Sequence, residues 1–270
     1  MTILARFAAF FAIAAFLFHP APAAAFDPVT HLRLVAAVER HDGAFLAGID
    51  MALAPGWKTY WRRPGDSGIA PEFDWSGSEN VASVELRWPA PERFDDPGDT
   101  TFGYRQGVGW PLHVVPEDAG APVVLNLSMH YGVCADLCIP RDSALSLIVA
   151  AGGEGIALAE TGDAEMLRAA LARVPLPLEE PERVTVSWRE NSAPVLEVRL
   201  AGCGKGCVPP ALIVDGPRNV WFGVPRMVRE GDALRYAMEV ETLSPAMIEG
   251  EDVELLFLSP AGAFTVHKKL

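Results

Sequence analysis

Apolar residues in this chain come in short runs, and Pro, Gly and Asp recur between them. Runs at Ser83–Arg87, Leu112–Val115, Val123–Met129 and Leu145–Ala150 have strand length, and between Leu32 and Ala54 the turn residues His41-Asp42-Gly43 divide two more. Strands this short, at this spacing, close into an antiparallel sandwich. The pattern changes near Glu160. There Asp163 is placed to cap a helix whose Met166, Leu167, Ala170, Leu171 and Val174 recur at helical spacing, and Pro175 and Pro177 end it. The acidic, proline-bearing Leu178-Glu179-Glu180-Pro181-Glu182 reads as a linker. Alternation then resumes at Val184, Val186 and Trp188, with further strands expected at Val195–Leu200, Ala211–Val214, Leu234–Val240, Val253–Leu258 and Ala263–His267. The expected organisation is all-β: a sandwich over 26–158, a short helix and linker over 159–182, and a second, smaller β-sandwich over 183–270.

Residues 1–25 read as a secretory signal peptide. Arg6 supplies the positive start, Phe7 to Phe18 the apolar core, and Ala23 and Ala25 the small residues at the cleavage site. The mature chain is then expected to begin near Phe26. The apolar run before His19-Pro20 is shorter than the roughly 20 residues a membrane span needs, and no later stretch is long enough, so a soluble mature protein is expected. Export places the cysteines where disulfides persist, most simply in a bacterial periplasm. The chain carries 22 Lys+Arg against 35 Asp+Glu, a net charge of −13. Such a surface repels nucleic acid and leaves proteins or small molecules as partners.

Four cysteines are too few for a disulfide scaffold, and a chain this long can bury a sufficient core without staples. They form two C-x-x-x-C pairs, Cys134/Cys138 and Cys203/Cys207, which raises the possibility of an internal duplication. Disulfide exchange needs an accessible thiol, a close resolving partner and an environment that tunes the thiolate. Cys134-Ala135-Asp136-Leu137-Cys138 meets the closeness requirement. The Asp136 carboxylate disfavours the thiolate, as suits a nucleophile activated only when a partner docks, while Tyr131 and His130 are placed to shield or orient the sulfurs. Two other readings stay open at this segment: a permanent structural clip, and a Cu(I) site using Cys134, Cys138 and His130, with Met129 nearby. For Cys203-Gly204-Lys205-Gly206-Cys207, a structural disulfide bracing a glycine-rich turn is the favoured reading, although Lys205 would favour a thiolate.

Tyr131-Gly132-Val133-Cys134-Ala135-Asp136-Leu137-Cys138-Ile139-Pro140 resembles the cysteine segment of the N-terminal periplasmic domain of the thiol:disulfide interchange protein DsbD, in its ScsB-like variant. Pro55-Gly56-Trp57-Lys58-Thr59-Tyr60-Trp61-Arg62 is similar to that family's aromatic strand beside the active cysteines. Trp88-Pro89 through Phe102-Gly103-Tyr104 resembles the segment carrying its cap loop. The resemblance implies an immunoglobulin-like sandwich with no cofactor. It also implies a protein-disulfide reductase that takes electrons from a membrane-embedded thiol carrier of the DsbD/CcdA type and passes them to periplasmic thioredoxin-like proteins. Cytochrome c maturation, disulfide isomerisation and metal stress are all pathways such a domain can serve. By the same resemblance Cys138 forms the mixed disulfide downstream and Cys134 resolves it. Phe102, with Tyr104 second, is then the cap aromatic, and Tyr60 and Tyr131 complete the shield.

Trp57, Trp61, Trp75, Trp88 and Trp110 cluster in the first half, where they fill a sandwich core or, alternatively, line a sugar groove. Asp95 and Asp96 read as turn chemistry rather than an acid/base pair. The histidines are scattered singly, and neither a zinc-protease motif, a Gly-x-Ser-x-Gly elbow nor a phosphate-binding loop is present, which sets aside zinc-hydrolase, serine-hydrolase and nucleotide chemistry. The runner-up from another class is a non-catalytic periplasmic binding module with two structural disulfides.

Overall fold

The computed structural model describes residues 27–41, 44–150, 161–189, 194–242 and 248–270. The expected signal peptide lies outside them, as do Asp42 and Gly43 of the expected His41-Asp42-Gly43 turn. Strands β1 (Val29–His41), β2 (Ala44–Leu53), β3 (Lys58–Gly65), β4 (Glu72–Asp74), β5 (Ser83–Leu86), β6 (Glu92–Asp96), β7 (Asp99–Arg105), β8 (Gly107–Val115), β9 (Val123–Cys134) and β10 (Cys138–Val149) come first. Helix α1 (Thr161–Leu171) follows. Then come β11 (Leu176–Pro177), β12 (Val184–Arg189), β13 (Val195–Leu200), β14 (Ala211–Asp215), β15 (Trp221–Phe222), β16 (Arg226–Glu230), β17 (Ala233–Glu241), β18 (Asp252–Ser259) and β19 (Gly262–Lys269). The fold is all-β, with immunoglobulin-like sandwiches.

In the first sandwich a sheet of order β1-β2-β8-β5 faces one of order β10-β9-β3-β7-β6, to which β4 adds alongside β9. Period-two patterning sorts the side chains. On β2, Phe45, Ala47, Ile49, Met51 and Leu53 turn inward, and on β9, Val123, Leu125, Leu127, Met129, Tyr131 and Val133 do the same. Trp110 sits fully buried at the centre, edge-on to Phe73, Trp88 and Tyr104 at centroid distances of 5.6, 6.5 and 6.0 Å. Trp61 is also fully buried, and Trp57, Trp75 and Trp88 pack against the same core. These tryptophans therefore fill the sandwich rather than line a groove.

Helix α1 is not part of a free linker. Leu167 is fully buried against Val35 and Ala37, and a Cβ at Gly48 would collide with its side chain. At Gly109 a Cβ would come within 2.6 Å of the Met166 sulfur, so two glycines make room for the helix on the first sandwich. Asp163 lies inside the first helical turn rather than ahead of it. Its two carboxylate oxygens accept from Arg33 at 2.6 and 3.1 Å, tying the first helical turn to β1.

The second sandwich pairs β11-β19-β18-β14 with β12-β13-β17-β15, and β16 adds alongside β17. It meets the first through Asp215, whose oxygens accept from Arg62 Nε at 2.5 Å and Arg63 Nε at 2.6 Å, with Glu254 2.8 Å from Arg62 Nη2. Ile213 and Leu256 join the core cluster of the first sandwich. Arg62 and Arg63 sit on β3, so the strand that approaches the Cys134–Cys138 disulfide also carries the contact between the sandwiches.

Burial raises the phenol of Tyr104 and pushes that of Tyr236 up to about 12. A group that holds its proton more tightly when folded contributes stability below its unfolded value and loses it as pH rises toward the folded one. The contribution of these two tyrosines is therefore expected to be constant up to about pH 10, the unfolded tyrosine value, and to fall above it. Urea midpoints at pH 8 and pH 11 test this, and equal midpoints would contradict it.

Candidate functional site

The chain reverses at Ala135-Asp136-Leu137, so β9 and β10 form a hairpin in which Cys134 and Cys138 are direct cross-strand partners. The two are joined as a disulfide, with Cα atoms 4.1 Å apart. β10 is an edge strand, which is where Pro140 can sit without breaking an interior ladder. The sulfurs are unequal: Cys134 is buried at 1% exposure, and Cys138 is exposed at the hairpin tip. Leu137 (72% exposed) and Ile139 surround Cys138 with apolar surface.

β3 supplies the environment. Lys58 stands directly opposite Cys134 in the β3–β9 ladder, and Thr59 Oγ1 donates to the Gly132 carbonyl at 2.9 Å. Two residues on from Lys58, the Tyr60 hydroxyl donates to Cys134 Sγ at 2.8 Å and lies 3.2 Å from Cys138 Sγ. Burial, then the Asp99 and Asp96 carboxylates, raise the Tyr60 phenol. It thus stays protonated, and a donor, throughout the pH range in which thiols exchange. Gly68 at positive φ lies against the Tyr60 ring, where a Cβ would come within 2.6 Å of Cζ. That close approach, together with the bond from Thr100 N to Asp66, holds the segment after β3 against the Tyr60 ring.

Chemically, only Cys138 is open to an incoming thiolate. Attack there breaks the S–S bond and leaves the electron pair on Cys134, where the Tyr60 hydroxyl stabilises it. The site can therefore run one turn of disulfide exchange without any bound group.

Residues 29–150 match the family model described as thiol:disulfide interchange protein DsbD, N-terminal. This segment is a DsbD N-terminal-like domain. The similarity extends past it: the crystal structure of the N-terminal periplasmic domain of ScsB from Proteus mirabilis is 25% identical, with a TM-score of 0.67 over 88% of this chain and 91% of that one. No curated protein matches the chain. Family model and structure together mark a thiol-disulfide interchange domain, and the Cys134–Cys138 pair fits that chemistry.

Within the DsbD N-terminal-like domain the expected shield is rearranged. Side chains alternate along β7, and Gly103 pairs with Tyr60, so Phe102 and Tyr104 project from the opposite face. Both belong to the sandwich core: Tyr104 OH donates to the Pro89 carbonyl, and Phe102 lines a cavity of about 110 Å³ shared with Ile213 and Val220. Tyr131 likewise points inward, with its hydroxyl 3.2 Å from Ser143 Oγ. None of the three covers the disulfide.

Besides Tyr60, an aromatic on the disulfide's own face is Phe94, which pairs with Thr101 on β7. Lys58 Nζ lies 4.8 Å from its centroid and bonds Thr101 Oγ1 at 3.0 Å. Sequence reading missed both Phe94 and Lys58. The usable signal was parity, since Lys58 is two residues from Tyr60 and must share its face. Asp136 is exposed at the hairpin tip.

His130 lies on β9 four residues before Cys134, a rise of about 13 Å along a strand, and its ring nitrogen pairs with Asp142 at 2.8 Å. The Cu(I) set of Cys134, Cys138 and His130 is therefore not assembled, and no cluster of three such ligands occurs among the described residues.

Removing the Tyr60 hydroxyl is expected to slow reduction of the pair about tenfold, the scale of one hydrogen bond to a charged group. Stopped-flow reduction of Tyr60→Phe by a protein dithiol measures this. An unchanged rate would remove Tyr60 from the chemistry.

Proposed function

We propose that the chain is a periplasmic thiol-disulfide interchange protein. In this reading it takes reducing equivalents from a membrane-embedded thiol carrier of the DsbD/CcdA type and hands them to thioredoxin-like proteins. The supporting observation is the asymmetric disulfide: one sulfur exposed in an apolar tip, the other buried on a tyrosine hydroxyl. The donor's thiolate attacks Cys138, Cys134 leaves as thiolate, and the donor's second thiol resolves the mixed disulfide. Cys138 then attacks the acceptor's disulfide, and Cys134 displaces the reduced acceptor. Export by a cleaved signal over residues 1–25, and domains over 26–158 and 183–270 between which α1 docks on the first and β11 joins the second, belong to the same proposal. So does a role for Asp136 in keeping the free thiol unreactive until docking.

The test is the reduction potential of Cys134–Cys138, measured by equilibration in thiol redox buffers with mass-spectrometric trapping. A midpoint between about −200 and −270 mV is expected for a working carrier, and one below about −300 mV would instead mark a structural disulfide and a non-catalytic binding module.

A further inference from the structure

The second cysteine pair shows the same inequality in different surroundings. Cys203 and Cys207 are disulfide-bonded in the loop between β13 and β14. Cys203 is buried at 1% exposure and Cys207 is exposed. Here the buried sulfur has a cation beside it: Arg229 Nη1 is 3.9 Å from Cys203 Sγ. The same guanidinium donates to the carbonyls of Cys203, Gly204 and Cys207, and Cys203 N donates to the Asp232 carbonyl at 2.6 Å. These bonds already fasten the loop, and a loop this short gains least from a cross-link. Bracing alone is thus a weak reason for the disulfide.

Cys203 and Cys207 also line a mainly apolar cavity of about 400 Å³, walled by Leu178, Leu200, Val208 and Phe264. Val208, beside Cys207, is 62% exposed. Arg183 lines this cavity, and Lys205 lies in the loop between the two cysteines, in a chain whose net charge is −13. A disulfide in the wall of an open apolar cavity defines its occupant, because a thiol is the group that bonds to it covalently. Lys205, two residues before Cys207, favours an acidic surface around that thiol.

We propose that Cys203–Cys207 is a second exchangeable disulfide, attacked at Cys207 by an acidic protein dithiol that docks over the Val208 cavity. The partner's thiolate forms a bond to Cys207 Sγ as the Cys203–Cys207 bond breaks, and the electron pair leaves on Cys203 beside Arg229. The partner's second thiol, its proton lost to water, attacks the partner sulfur of the mixed disulfide and releases Cys207. Cys203 and Cys207 take up the two protons, so the pair gains two electrons and the partner becomes a disulfide. This step is independent of Cys134 and Cys138.

The experiment uses the full chain carrying Cys134→Ser and Cys138→Ser, so that only the second pair can react. Reduction by reduced thioredoxin is compared with reduction by dithiothreitol at equal thiolate concentration. The protein dithiol is expected to act at least about tenfold faster, and the uncharged Val208→Asn to remove that advantage while leaving the dithiothreitol rate unchanged. A pair that stays oxidised, equal rates with both reductants, or a Val208→Asn effect shared by both overturns the proposal.

Discussion

Replacing Cys138 by serine is expected to abolish disulfide exchange by this protein, lowering the rate by about a thousandfold or more, as removal of an essential nucleophile does. The reason is access. Cys134 is buried beneath Tyr60, so once the exposed sulfur is gone no partner thiol can reach the remaining one. Cys134→Ser should behave differently. Cys138 still attacks, but nothing resolves the product, so a covalent adduct with a thioredoxin-like partner accumulates. Non-reducing electrophoresis with mass spectrometry distinguishes the two variants. If instead both lost about 2 to 4 kcal/mol of stability and neither trapped an adduct, the disulfide would be a staple.

The largest effect on stability is expected at Trp110. Its ring is fully buried and contacts Phe73, Trp88 and Tyr104, which come from three different segments of the sandwich. Trp110→Ala should cost about 3 to 5 kcal/mol, because the cavity opens at the meeting point of both sheets and cannot collapse from one side. Ile148→Ala is the control. That residue is 70% exposed on the edge strand, and a change within about 0.5 kcal/mol is expected. Urea unfolding of both variants measures the difference, and a loss below about 1 kcal/mol for Trp110→Ala would show that the core repacks around it.

Some strand positions were legible in the sequence because period-two patterning is local. The runs expected at 195–200, 211–214, 234–240, 253–258 and 263–267 correspond to β13, β14, β17, β18 and β19. The short β4, β6, β15 and β16 were not legible. They carry little apolar alternation of their own and exist because longer neighbours offer them an edge. The suggestion of an internal duplication also fails on topology. Cys134 and Cys138 close a hairpin between paired strands, whereas Cys203 and Cys207 close a loop outside any strand.

What the sequence by itself determined is the class of the fold and the closeness of Cys134 and Cys138: alternation and turn residues act over a few positions, and a three-residue gap is enough to bring two cysteines together. Only the tertiary structure decided which aromatic and charged side chains share the disulfide's face. Phe94 and Lys58 do, and Phe102, Tyr104 and Tyr131 do not. In a sheet the face of a residue depends on strand register, and a shift of one residue exchanges the two faces. β3 carries a register irregularity between Tyr60 and Gly65, and β9 changes partner from β4 to β3 just before Cys134. Those pairings are made between segments distant in the chain, so no local pattern encodes them.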